Sequence, residues 1–269
     1  MVQINTHKKQ ELSEDLVRHI TLDTIRSYNK KFRDKYGELV ICCDSKSYWR
    51  RDVFPFYKSH RKKERDASKY DWAIIFTILN KIKSELKTYL PYKVIEVDGA
   101  EADDIIATLT KEFHDKQQIL ILSSDKDFGQ LQAYDNVMQY SPIMKRFIVV
   151  KDPAQFLKEQ IIRGDKGDGI PNFLSMDQTF VTGSRQRTIS KKKLEECMKA
   201  DPQGFAYDDV MKRGYSRNQK LIDFGFIPAN IQDSILQGYK ETTKSSKMNM
   251  LNYFMTRKLK NLCEVADEF

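Results

Sequence analysis

No stretch of the chain approaches the roughly 20 consecutive apolar residues a membrane-crossing helix needs. The opening Met1-Val2-Gln3-Ile4-Asn5-Thr6-His7-Lys8-Lys9 has no apolar core of the kind a signal peptide carries. A cytoplasmic protein without a membrane partner is expected. Cysteine is scarce, with 4 residues (Cys42, Cys43, Cys197, Cys263) and no C-x-x-C pair. That argues against a disulfide framework or a thiolate metal site and for packed, reduced thiols. Histidine is equally rare. His7, His19, His60 and His114 lie far in sequence from the acidic motifs, so no Ser-His-Asp arrangement is in view and surface positions are expected for them. There is no internal repeat and no low-complexity tract.

The chain does have charge. Of 269 residues 31% are charged and 40% hydrophobic, enough for a real core in one large or two modest domains. The net charge is +8, which suits a polyanionic partner, although a ribosomal or membrane-surface protein could share that composition. Residues 45–70 hold nine Lys and Arg against three Asp and Glu, an excess of six, so most of the surplus sits in one segment.

Apolar spacing predicts an amphipathic helix over 12–33, a buried strand over 39–43 and a helix from Trp72 to Tyr89 stopped by Pro91. A strand over 93–97, a helix from Glu101 to Phe113 and a strand over 118–122 follow. Then come a short helix over 128–133 and short strands at 137–140 and 147–150. This alternation predicts an α/β fold with a mainly parallel central sheet flanked by helices. Strand signals end near residue 152. The division expected is an α/β core over 1–151, including the basic segment 45–70, and a helical region over 152–269. Residues 180–218, polar and basic, read as loop-rich.

Acidic residues recur where predicted strands end or a glycine turn stands: Asp44; Glu101, Asp103 and Asp104; Asp125 and Asp127; Asp165 and Asp168. In an open parallel sheet the functional crevice lies at the carboxyl ends of the strands. Clustered carboxylates are costly unless a cation holds them, and an all-oxygen set favours Mg²⁺ or Mn²⁺. Two such ions would support phosphodiester hydrolysis. Helix capping accounts for any one cluster equally well; the set at strand ends favours metal. Asp103 and Asp104 compete for the same ligand position, and the spacing does not choose between them.

Gly164-Asp165-Lys166-Gly167-Asp168-Gly169 is a turn through which a backbone can approach a phosphate or a monovalent ion. In 45–70 the aromatics Tyr48, Trp49, Phe54, Phe56 and Tyr57 interleave with cations, as in single-strand binding surfaces; a solvated basic loop is the plain alternative.

Together, Tyr48-Trp49-Arg50-Arg51-Asp52, Tyr57-Lys58, Ser123-Ser124-Asp125-Lys126-Asp127-Phe128, the glycine turn, Ile222-Asp223-Phe224 with Ile227-Pro228, and the Glu268-Phe269 end resemble the 5′-nuclease superfamily. The nearest branch is that of the ribonucleases H of T-even-type phages. The resemblance implies a 5′→3′ exonuclease with ribonuclease H and flap endonuclease activity, removing RNA primers and the 5′ ends of DNA during replication in a phage-infected bacterial cell. It implies a monomer acting on DNA and RNA–DNA hybrids with a free 5′ end or flap, with a single-strand-binding protein and a sliding clamp as partners. It places Asp44, Glu101, Asp103 and Asp104 at a first Mg²⁺, with Asp125, Asp127, Asp165 and Asp168 at or toward a second. Segment 45–70 becomes a helical arch in which Arg50 and Lys58 contact phosphate, beside Arg51, Tyr57, Arg61, Lys62 and Lys63. Residues 156–180 become a helix–three-turn–helix that grips a duplex through Gly164, Lys166, Gly167 and Gly169, around K⁺.

One departure stands out. The family carries a further aspartate at the end of a first strand, upstream of the helix that 12–33 resembles. About eleven residues precede that helix here, none forming such a strand, and Asp15 lies within the helix. A missing ligand and central strand, reduced stability and aggregation are expected. Two other functions stay open: a catalytically impaired nucleic-acid-binding remnant, and a PIN-type ribonuclease.

Overall fold

The structure, a computed structural model, describes residues 13–269, which divide into two compact units. One comprises the described part of Met1–Ile41 with Ser68–Ile95 and Tyr239–Phe269; the other comprises Cys42–Ala67 and Glu96–Gly238. The predicted want of a first strand and its aspartate concerns residues outside those described.

In the first unit, helix α1 (Glu14–Tyr36) starts where Ser13 Oγ accepts from the Leu16 N–H and stops at Gly37, whose φ is 74°. Its Arg18 is fully buried and donates to Glu85 on helix α4 (Trp72–Tyr89), the Nε–Oε2 distance being 2.7 Å. Tyr253 and Arg257 also donate to Glu85. Burial alone would raise the Glu85 carboxyl, but Arg18 and Tyr253 outweigh it and hold it low. Strands β1 (Val40–Cys42) and β2 (Lys93–Ile95) pair as a two-stranded sheet.

The second unit carries the basic segment as two short helices, α2 (Trp49–Val53) and α3 (His60–Asp66). Helix α5 (Ala102–Phe113) leads to a three-stranded sheet ordered β3 (Ile119–Leu122), β4 (Val137–Ser141), β5 (Arg146–Ile148). Strand β3 pairs parallel to β4, with Ile119 opposite Val137, while β4 and β5 run antiparallel. The α/β class is as predicted. The described strands make two sheets, and the parallel pairing of β3 with β4 lies in the second. A 3₁₀ helix (Lys126–Ala133) follows β3.

Helix α6 (Pro153–Arg163) ends at Gly164, with φ 68°, where a Cβ would stand 2.4 Å from the Ile170 carbonyl oxygen. The glycine turn closes through reciprocal bonds between Asp165 and Ile170. No helix follows at once. Residues 171–189 are turns and irregular chain, and regular structure resumes at helix α7 (Lys191–Lys199), so the second helix predicted within 156–180 does not form there. Conversely, much of the predicted loop 180–218 is helical: α7, α8 (Pro202–Phe205) and α9 (Asp209–Ile222). Ser190 and Asp208 cap α7 and α9, and the buried face of α9 includes Gly214, Arg217 and Asn218, which mask its apolar period. Gly214 is needed there, since a Cβ would lie 2.2 Å from the Phe173 oxygen.

The core of this unit gathers Ile161, Ile162, Ile170, Phe173, Leu221 and Ile222 with Phe54 and Tyr57 of the basic segment. Burial pushes the Cys42 thiol up to about 12. His19, His60 and His114 are half-buried rather than exposed; His60 packs beside Phe180, its Nδ1 buried and unpartnered. His7 lies outside the described residues.

Candidate active site

Every acidic residue predicted to hold a metal lies in the second unit. Glu101 is the N-cap of α5, and it forms a reciprocal capping box with Asp104. Asp44, just after β1, accepts from the Ala102 N–H at 2.8 Å. Capping therefore does operate here, together with stronger interactions.

Two sets of carboxylates emerge. In the first, Arg50 is 3% exposed and reaches Glu101 at 2.9 Å and Asp104 at 2.8 Å, its Nε donating to the Leu221 carbonyl. Lys58 Nζ lies 2.5 Å from Glu101 and 3.6 Å from Asp168. The Tyr57 hydroxyl stands 2.9 Å from both Glu101 Oε2 and Asp168 Oδ2. Arg61 adds a 2.6 Å pair to Asp168 and donates to the Gly167 carbonyl. Arg50, expected against a phosphate, is thus buried among carboxylates, and Lys58 is turned the same way. Lys58 does so from a left-handed backbone with φ 55°, an uncommon state for a non-glycine residue that clusters at functional positions.

Glu101 and Asp104 respond differently to their shared Arg50. Burial raises both, but Lys58 and Arg50 together hold Glu101 below the usual range, whereas Asp104, lacking Lys58, stays raised. Trp49 Nε1 also donates to Asp104, at 3.1 Å.

The second set is Asp103, Asp125 and Asp127, with Asp44 and Asp165 near enough to act on them. Burial, then the charges of Asp125, Glu101 and Asp44, push Asp103 up to about 8. Burial, Asp125 and Asp165 push Asp127 up to about 7. Asp125 Oδ1 caps the following turn by accepting from the Asp127 N–H. Lys126 turns to Asp165, at 2.6 Å. Two buried amides brace this loop. Gln160 of α6 donates to Asp127 Oδ1 at 2.6 Å, and Gln139 of β4 donates to the main-chain oxygens of Ser123 and Asp125. Sequence reasoning placed Trp49 among the aromatics of the basic segment and not against Asp104, and it missed Gln139 and Gln160. Only the nearness of Trp49 to Asp44 and Arg50 offered any signal.

An all-carboxylate set in which the Asp125 charge helps raise both Asp103 and Asp127 is short of positive charge, and hard oxygen donors of this kind fit a divalent cation such as Mg²⁺ or Mn²⁺. Convergence is less complete: among the described residues no three His, Cys, Asp or Glu side chains come together as an ion-holding group. The first set is already neutralised by Arg50, Lys58 and Arg61. The charge deficit falls on Asp103, Asp125 and Asp127.

Of the remaining nucleic-acid candidates, Arg51, Lys62, Lys63, Lys166 and Gly167 are exposed, Gly164 is half-buried and Gly169 is buried. Arg51 lies over the Tyr48 ring.

Comparison with known proteins agrees with this architecture. Residues 6–161 match the family model described as 5′-3′ exonuclease, N-terminal resolvase-like domain, and residues 155–269 match T4 RNase H, C terminal. The chain is 34% identical to the ribonuclease H of Enterobacteria phage T4 over 276 residues, covering 99% of this chain and 90% of that one. It is 27% identical to a 5′-3′ exonuclease of Mycoplasmopsis pulmonis (strain UAB CTIP), covering 70% of this chain and 69% of the relative. Among solved structures, a T5 D15 flap endonuclease variant in a pseudo-enzyme-product complex with DNA and metal ions superposes with a TM-score of 0.62. That match has 20% identity and covers 87% of this chain and 94% of that one. T5 D15 protein co-crystallised with metal ions gives a TM-score of 0.60 at 20% identity, covering 84% of this chain and 91% of that one. These two structural matches speak for the fold.

Proposed function

We propose, from the premise that the chain belongs to the 5′-3′ exonuclease family of hydrolytic nucleases, that it cleaves phosphodiester bonds from 5′ ends in RNA–DNA hybrids and DNA. Flap cutting falls within the same chemistry. The observation that carries this reading is the raised Asp103 beside Asp125 and Asp127, an acidic set short of a cation. Asp103, Asp125 and Asp127 would hold a divalent ion, with Asp44 and Asp165 beside them. Such an ion, when bound, activates water and stabilises the leaving oxygen. Glu101, Asp104 and Asp168 set the positions of Arg50, Lys58 and Arg61. Exposed Lys62, Lys63 and Lys166 supply sequence-independent phosphate contacts. The functional division we adopt is 1–151 for chemistry and 152–269 for holding the duplex. Replication partners (a single-strand-binding protein and a sliding clamp) and action as a monomer in a phage-infected cell belong to the same reading. No described helix is long and apolar enough to cross a membrane.

The test is cleavage of a 5′-labelled RNA–DNA hybrid with Mg²⁺, against EDTA. Asp125→Asn should abolish cleavage and leave binding intact; a variant that cuts normally removes the assignment. A second reading, a binding protein without catalysis, draws on the incomplete convergence of the carboxylates. It expects steeply salt-dependent binding and no cleavage with any amount of Mg²⁺ or Mn²⁺.

A further inference from the structure

After the glycine turn the chain folds three main-chain oxygens inward, those of Pro171, Asn172 and Ser175. All three face the guanidinium of Arg217 on α9. Nη2 donates to the Pro171 oxygen at 2.6 Å and to the Asn172 oxygen at 3.2 Å. Nη1 donates to the Ser175 oxygen at 3.4 Å and to Asp177 Oδ1 at 2.6 Å. Nε donates to Asn218 Oδ1 at 2.9 Å, and the Asn218 amide returns a bond to the Pro171 oxygen. Arg217 is 8% exposed, so these are interior bonds.

Inward-turned carbonyls are the donor set a monovalent cation requires, and K⁺ was expected within 156–180, the stretch that contains these three oxygens. The residues present do not fit that ion. The oxygens that would coordinate it already accept from a charged, planar donor. A second cation beside a buried guanidinium would meet repulsion, and Asp177, the carboxylate paired with Arg217, is already shared with Arg213. An arginine cannot shed its proton to make room.

We propose that Arg217 is the resident cation of this turn, making the turn's stability and its grip on a duplex independent of which monovalent ion is in solution. The grip rests on the nuclease reading above; the stability does not, and this separates the two. Unfolding of the wild-type protein is followed by heat in EDTA, in chloride salts of potassium, sodium and choline at equal ionic strength near about 0.1 M. Binding of a fluorescent DNA duplex is measured in the same buffers. The midpoints should agree between potassium and sodium, and the duplex affinities should agree within about twofold. A potassium-specific rise in the midpoint, or duplex binding about tenfold tighter in potassium than in sodium, overturns the assignment. If no duplex binds at all, the nuclease reading falls while the unfolding comparison still decides the role of Arg217. Arg217→Met removes the charge and keeps much of the bulk. It should unfold earlier than wild type in every salt, and a midpoint equal to wild type in sodium would also overturn the proposal.

Discussion

Lys58 Nζ stands 2.5 Å from Glu101 Oε1, and the residue that brings it there holds a left-handed backbone with φ 55°. A contact kept at the cost of backbone strain is one the surrounding structure enforces. Its partner is the one carboxylate of the acidic group held below the usual range chiefly by this lysine and Arg50.

Replacing Lys58 by Met should therefore leave Glu101 with Arg50 as its charged partner and the Tyr57 hydroxyl as a neutral one. Breaking a largely buried pair costs several kcal/mol, and the partial exposure of Lys58 reduces that to about 2 kcal/mol. Urea denaturation in EDTA reads the loss. Adding Mn²⁺ should restore more stability to the variant than it adds to wild type, since the freed carboxylate then seeks another cation.

Metal-free protein should lose stability as pH rises from about 4 to about 9. Asp127 and Asp103 titrate at about 7 and about 8 in the folded state against 3.8 unfolded, so the folded form binds more protons across that window. Their contribution is present below the unfolded value and is lost as pH passes through the folded ones. Glu101 behaves oppositely, contributing above its unfolded value and losing that contribution in acid. Thermal midpoints in EDTA across the pH range check both limbs, and Asp103→Asn should flatten the alkaline one.

Gln160→Met should weaken Mn²⁺ binding by about tenfold, the usual effect of removing a partner that orients a ligating carboxylate. The variant deletes the 2.6 Å bond to Asp127 while keeping the side chain's length. Titration followed by electron paramagnetic resonance gives the affinity. Equal affinities would reduce Gln160 to packing.

Gly164→Ala should cost about 2 kcal/mol or more. The position combines a left-handed φ of 68° with a would-be Cβ contact of 2.4 Å to the Ile170 oxygen. Duplex binding should fall along with the thermal midpoint, because the turn loses its shape.

What was legible in advance was whatever depends on neighbours in sequence. Helix α4 is predicted to the residue, because its apolar spacing is regular and Pro91 ends it. Asp44, Glu101 and Asp125 are placed after or beside strands because carboxylates follow apolar runs there. What stayed hidden depends on distant segments meeting. The Arg50 bond to Leu221 spans 171 positions and the Arg217 bond to Pro171 spans 46, and no local pattern announces either. Helix α9 escaped for a related reason: its inner face is closed by Gly214, Arg217 and Asn218, whose burial makes sense only against the chain they meet.

Tyr57, Lys58 and Arg61 fall within five consecutive positions, and each reaches Asp168 in the glycine turn. Two of them also hold Glu101. The pentapeptide thus acts as a ruler with one end on the turn and the other on the N-cap of α5. Lengthening it by a single residue would put it out of register with one of those anchors, so this stretch should tolerate changes of side chain more readily than changes of length.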